Sequence, residues 1–125
     1  MKVLICEPGE VAREADIEHT LEAMQEVVGG TITATYPYDD PVAVVANDEG
    51  LLIGMALNRK LDNYTVIAGP FFICGLSEDS FADLPDNLME KYKRDLYYPQ
   101  YFFRDYDSPS GIVAIPYDPE DAIEI

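Results

Sequence analysis

PVAVVANDEGLLIGMAL, residues 41–57, is the stretch whose reading decides the fold. Apolar residues run up to Asn47, give way to Asn47-Asp48-Glu49-Gly50, and resume as far as Leu57. Two apolar segments around a short Asn/Asp/Gly cluster are the pattern of a β-hairpin, whose turn needs a residue at positive φ. Gly50 is the residue suited to that position. The spacing therefore predicts two antiparallel strands here, entered through a turn at Asp39-Asp40-Pro41.

The segments on either side extend the sheet. TITATYPY (31–38) alternates Ile32, Ala34 and Tyr36 with Thr31, Thr33 and Thr35, as a half-buried strand does. YTVIAGPFFICG (64–75) reads as two strands broken at Gly69-Pro70. Proline cannot donate to a ladder, so that break predicts a bulge or a sheet edge. KVLICEP (2–8) is a first strand closed by Pro8-Gly9, and GIVAIPY (111–117) is a last one.

Two segments carry helical spacing instead. Leu21, Met24, Val27 and Val28 share a face behind Thr20, a capping residue, and Gly29-Gly30 stops the run. Leu84, Leu88, Tyr92 and Leu96 lie four apart, which predicts an amphipathic helix from Asp86 to Leu96 with Pro85 in its first turn. Ser77 and Asp79 are candidate caps before it. EVAREADIEH (10–19) reads as a loop or short exposed strand, QYFFRDYDSPSG (100–111) as a turn-rich aromatic link, and DPEDAIEI (118–125) as an acidic tail. The expected architecture is one α+β domain over residues 1–125. It has a mostly antiparallel sheet of five to seven strands, with two or three helices packed on one face.

Charge restricts the function. The chain carries 24 Asp and Glu against eight Lys and Arg, a formal net charge of −16. Phosphates are repelled by such a surface, so direct nucleic-acid binding and anionic membranes are not expected. A basic partner is, including a protein whose own site is built to hold DNA. Plain solubility is the other explanation. Cys6 and Cys74 both sit in apolar runs, which predicts buried, reduced thiols in a cytoplasmic protein. With one histidine and no CxxC pair, zinc is not expected; the acidic composition leaves a carboxylate-bound Ca²⁺ or Mg²⁺ open, but with no EF-hand loop the expectation is no metal and no cofactor. No apolar run approaches the ~20 residues of a membrane span, and the N-terminus reads as a strand rather than a signal peptide. His19 has no nucleophile near it in sequence, Asp39-Asp40 is explained by its turn, and no phosphate-binding glycine loop is present. The chain is therefore read as non-enzymatic.

Two groups of residues are candidate sites. Asn58 and Arg59 end a strand-like run in a chain where arginine is scarce. Arg59 forms either an internal ion pair or bonds to loop carbonyls, with Asn58 capping the turn. Alternatively, both point into a cleft and hold an anionic ligand such as a phosphate, for which the planar guanidinium is suited. The aromatic set Tyr97, Tyr98, Tyr101, Phe102, Phe103 and Tyr106 is too dense to be all core. Within it, Tyr97, Tyr98 and Tyr101 are candidate protein-interface residues.

Gly29-Gly30 at the helix exit, Tyr36-Pro37 at a strand end, Asn47 to Gly50, and Leu57 to Arg59 together form a pattern. It resembles the domain-of-unknown-function family numbered three-eight-four-six, over roughly residues 2–115. Members of that family are small proteins of bacteriophages, integrative elements and Firmicutes-type bacteria. The resemblance implies that Asn58 and Arg59 belong to a shared feature, and it implies a mobile-element setting rather than a reaction. Three functions suit that setting. One is an acidic nucleic-acid mimic that binds a basic host protein and counters host defence. Another is a module that sequesters a nucleotide signal in a pocket near Asn58 and Arg59, with a homo-oligomer open to it. The third is a regulator of the element itself.

Overall fold

The computed structural model describes residues 1–121. In chain order the elements are β1 (Lys2–Cys6), β2 (Arg13–Asp16), α1 (Leu21–Val28), β3 (Ile32–Thr35), β4 (Val42–Asn47), β5 (Leu57–Lys60), β6 (Val66–Ala68), β7 (Phe71–Leu76), β8 (Phe81–Ala82), α2 (Asp86–Asp95), β9 (Gln100–Arg104) and β10 (Ile112–Pro116). A single 3-10 turn, Pro119–Asp121, follows. The class is α+β with antiparallel pairing throughout. Six strands form the main sheet in the order β2-β1-β7-β4-β3, with β8 paired to β7, and β5–β6 and β9–β10 form two separate ribbons.

The interior strands explain the layering. Val3 to Cys6, Val42 to Asn47 and Phe71 to Gly75 are buried at every position, so both faces of β1, β4 and β7 are covered. A strand covered on both faces reads as a continuous apolar run, not an alternating one. Val3, Ile5, Ala43, Val45, Phe72 and Cys74 pack with Met24 and Val28 of α1. Leu4, Cys6, Val42, Val44, Phe71 and Ile73 pack with Leu88, Met89 and Tyr92 of α2. The two helices thus lie on opposite faces, which corrects the expectation that they share one. Each is too short to cover the sheet alone, and uncovered aliphatic rows on either face would cost about 25 cal/mol per Å² left in water.

Both helices follow their sequence signals. Thr20 accepts from the Ala23 amide as N-cap, and Gly29 closes α1 at φ 77 in the left-handed region. Pro85 occupies the N-cap position of α2, and Lys93 and Arg94 lie in its last turn, where cations suit the helix dipole. Ser77 and Asp79 cap neither helix. The Ser77 amide instead bonds to the Ser80 carbonyl, which turns β7 into β8.

Residues 41–57 do not form the expected hairpin. β4 pairs with β3 and β7, while β5 belongs to a different ribbon and pairs with β6. After Asn47 the chain coils through local bonds, Ile53 N–H to Glu49 carbonyl at 2.9 Å and Met55 N–H to Gly50 carbonyl at 2.9 Å, before β5 begins. Gly50 is not at positive φ. It is required for a different reason: a Cβ there would stand 2.6 Å from the Ala68 carbonyl oxygen. The break at Gly69-Pro70 carries the chain from the β5–β6 ribbon into the middle of the main sheet, so it is neither bulge nor edge. The irregularity in that ribbon falls between Leu57 and Arg59. The expected aromatic link at 100–111 supplies strand β9, paired with β10. Of the expected acidic tail, residues 122–125 lie outside the described residues. No helix among the described residues is long and apolar enough to cross a membrane.

Candidate functional site

The irregular register of β5 turns both Asn58 and Arg59 inward, and they are enclosed, at 1% and 0% exposure. Arg59 Nε donates to the Leu96 carbonyl at 3.1 Å, Nη2 to the Glu10 carbonyl at 2.6 Å, and Nη1 to Asn58 Oδ1 at 2.8 Å and to the Asn58 carbonyl at 3.2 Å. Asn58 Nδ2 donates to the Cys6 and Gly69 carbonyls, each at 2.9 Å. All these acceptors are neutral, and no carboxylate pairs with Arg59 among the described residues. Burial lowers the guanidinium pKa. Burial also pushes the Cys6 thiol up to about 12, against the nearby positive charge of Arg59.

This arrangement joins the end of β1, the β1–β2 loop, the β6–β7 break and the end of α2. Neither side chain faces a cleft, which corrects the cleft-facing expectation for Asn58 and Arg59. The four bonds of the guanidinium all go to carbonyl oxygens of its own chain, which is nearer to the expected bonding to carbonyls than to an ion pair.

Tyr97, Tyr98 and Tyr101 are all partly exposed. The Tyr97 and Tyr98 rings meet edge to face at 5.1 Å, while Tyr101 stacks on Tyr117 at 3.9 Å. Tyr97 and Tyr98 lie in the link after α2, and Tyr101 lies on the β9–β10 ribbon. On that ribbon Tyr101 opposes Ile115 and Phe103 opposes Val113, an apolar face with three of its four residues well exposed.

A concavity of about 640 Å³ lies elsewhere, between α1 and the β1–β2 pair. Its rim carries Glu7, Glu18, Glu22 and Glu26, and its floor includes Ile5, Ala15, Ile17 and Val27. The one cation there, Arg13, is paired with Glu7. Among the described residues no cation pairs with Glu18, Glu22 or Glu26. The sequence marks Glu22 and Glu26 as one helix turn apart on the solvent side of α1. It does not mark Glu7 and Glu18, which reach the groove only through the β1–β2 pairing.

The cations elsewhere are largely engaged. Lys91 pairs with Asp40, Lys93 with Glu14 and Arg94 with Asp95, while Lys60 donates to the Ile112 carbonyl. The negative charge therefore dominates the outward field. Among the described residues no group of three or more His, Cys, Asp or Glu is placed to hold a metal ion.

No curated protein and no solved structure matches the chain. Residues 1–97 match the family described as Domain of unknown function (DUF3846), so the α1 groove and the Arg59 cluster both lie within the matched region, and the chain belongs to that family.

Proposed function

We propose that this chain is a non-enzymatic accessory protein that binds a basic protein partner through its acidic surface. In the mobile-element setting that the family resemblance implies, it would counter host defence by occupying a site built for nucleic acid. The observation that carries the reading is the groove beside α1, where four glutamates rim an apolar floor. Lysine and arginine bury an aliphatic stem while keeping the charged head at a polar rim, and this groove offers both surfaces at once. Exposed ion pairs contribute only about 0.2–1 kcal/mol each, so the four glutamates alone do not give a tight complex. The net charge of −16 adds long-range steering, and the apolar floor adds burial at about 25 cal/mol per Å². The sign of the groove also favours a basic partner over a nucleotide, whose phosphates these carboxylates repel.

The test is capture from a bacterial lysate on the immobilised chain, followed by washing with duplex DNA. Basic nucleic-acid-binding proteins should be retained, displaced by the DNA, and lost from the Glu18→Gln/Glu22→Gln/Glu26→Gln variant. Retained proteins that ignore both the competitor and the triple substitution would overturn the reading.

A further inference from the structure

We propose that the free edge of β3, with the aliphatic groove beside it, accepts an extended segment of the basic partner as an added strand. The segment's chemistry would be a short β-branched apolar core flanked by Lys or Arg. This rests on the basic-partner reading above, but it concerns a separate surface.

The path of the main sheet ends at β2 and β3, and the two-residue β8 is a further, short edge beside β7. β2, with the sequence READ, carries charge at three of four positions, a common protection against unwanted strand addition. β3, with the sequence ITAT, carries none, and no proline lies within it. Its hydrogen-bonding direction follows from the ladder. The Asp48 amide donates to the Thr31 carbonyl at 2.9 Å, and Ile32 stands opposite Asn47. Antiparallel pairs alternate between bonded and unbonded positions, so Thr31, Thr33 and Thr35 bond towards β4. The amides and carbonyls of Ile32 and Ala34 then face outward, where no strand among the described residues pairs with them.

Beside this edge is a groove of about 330 Å³ lined by Thr33, Thr35, Ala46, Leu51, Leu52 and Val66, among others. Leu51, Leu52 and Ile53 are 66%, 87% and 59% exposed, three consecutive aliphatic residues in water. Thr35 Oγ1, on the groove's lining, is buried without a hydrogen-bond partner. An unprotected backbone edge next to apolar side-chain pockets is the arrangement used in strand addition, where main-chain bonds give affinity and pockets give specificity.

Charge selects the occupant. Asp48 and Glu49 lie in the groove at the Ile32 end, Asp39 is exposed beyond the Thr35 end, and no lysine or arginine lines the groove. A second copy paired antiparallel through β3 would set Asp48 and Glu49 of one chain near Asp39 of the other, like charge against like. A segment with Lys or Arg at both ends meets carboxylates at both.

The probe is the synthetic peptide Lys-Lys-Val-Thr-Val-Thr-Lys-Lys, followed by amide NMR and by fluorescence anisotropy of a labelled copy. Binding should shift the amides of Ile32 and Ala34. Ala34→Pro, which removes an outward donor, should weaken binding at least tenfold, and so should Leu51→Ser/Leu52→Ser, which leaves the backbone edge intact should the proline variant not fold. Glu18→Gln/Glu22→Gln/Glu26→Gln should leave this binding within twofold. If that triple variant loses the peptide while Ala34→Pro and Leu51→Ser/Leu52→Ser retain it, the α1 groove is the site and the β3 proposal is wrong, with the basic-partner reading intact. A peptide that fails to bind the wild-type chain at low salt also overturns the β3 proposal.

Discussion

Arg59 Nη1 bonds twice to its own neighbour, to Asn58 Oδ1 at 2.8 Å and to the Asn58 carbonyl at 3.2 Å, so the pair acts as one internal polar unit. Removing the guanidinium leaves the Leu96, Glu10 and Asn58 acceptors without their donor inside the fold. An unsatisfied buried polar group costs about 1–3 kcal/mol. Arg59→Ala should therefore destabilise by about 3 kcal/mol, a fall in Tm of roughly 10 °C by the usual entropy scaling. Arg59→Lys should not restore it, because one ammonium cannot satisfy acceptors spread around a planar fork. Thermal unfolding of both variants measures this. An unchanged Tm for Arg59→Ala would contradict the role in the interior.

Gly50 should tolerate no side chain. A Cβ at this position meets the Ala68 carbonyl oxygen at 2.6 Å, and that neighbour is backbone on the β5–β6 ribbon, with no rotamer to yield. Gly50→Ala should cost about 1–3 kcal/mol through the displacement it forces. Urea unfolding would show a lowered midpoint with an unchanged slope. A wild-type midpoint would mean that the 48–55 coil moves freely over the ribbon.

The α+β class, the antiparallel sheet and both helices were legible in the sequence, because capping residues and the periods of 2 and 3.6 are local signals. The partition of the helices was legible too, but in a different signal. The runs VLIC, VAVVA and FFIC do not alternate, and a strand without alternation is covered on both faces. Helices confined to one face are inconsistent with those runs. The hairpin expected at 41–57 failed because its second apolar run, LLI, is not core at all but exposed coil. The inward direction of Arg59 depends on a register irregularity between Leu57 and Arg59, which no local pattern encodes. The acidic groove depends on β1–β2 pairing, which brings together glutamates that the sequence separates.

Stability should fall on the acid side partly through Asp40. Its carboxylate accepts from Lys91 Nζ at 2.7 Å and from the Tyr92 hydroxyl at 2.5 Å, and these bonds hold its pKa below the ordinary carboxylate value. A carboxylate with a depressed folded pKa contributes stability that is fully present above its unfolded pKa and is lost as pH falls through the folded one. The loss from this group should therefore develop below about pH 4, where the free carboxyl titrates. Asp40→Asn should be less stable at pH 7 and show a shallower decline between pH 5 and pH 2. Parallel acid limbs for the two proteins would show that Asp40 carries none of the dependence.

The thiols should report on the same interior. Cys6 packs on the α2 side of the sheet and Cys74 on the α1 side, and both are free and fully buried. Burial pushes each pKa up to about 12, so at pH 8 almost no thiolate exists in the native state. Reaction with an aromatic disulfide reagent then requires opening, and its rate follows the population of the open form. Both thiols should label at least 1,000-fold more slowly than in urea, given the usual ~5–15 kcal/mol of domain stability. Arg59→Ala removes a positive charge that lowers the Cys6 pKa, which by itself would slow native-state reaction. The loss of about 3 kcal/mol acts in the other direction and should dominate, raising the labelling rate roughly 100-fold at both positions if opening is global. Acceleration at Cys6 alone would locate the opening at the end of β1, where Asn58 holds the Cys6 carbonyl. Acceleration at neither would mean that Arg59 does not hold this interior closed.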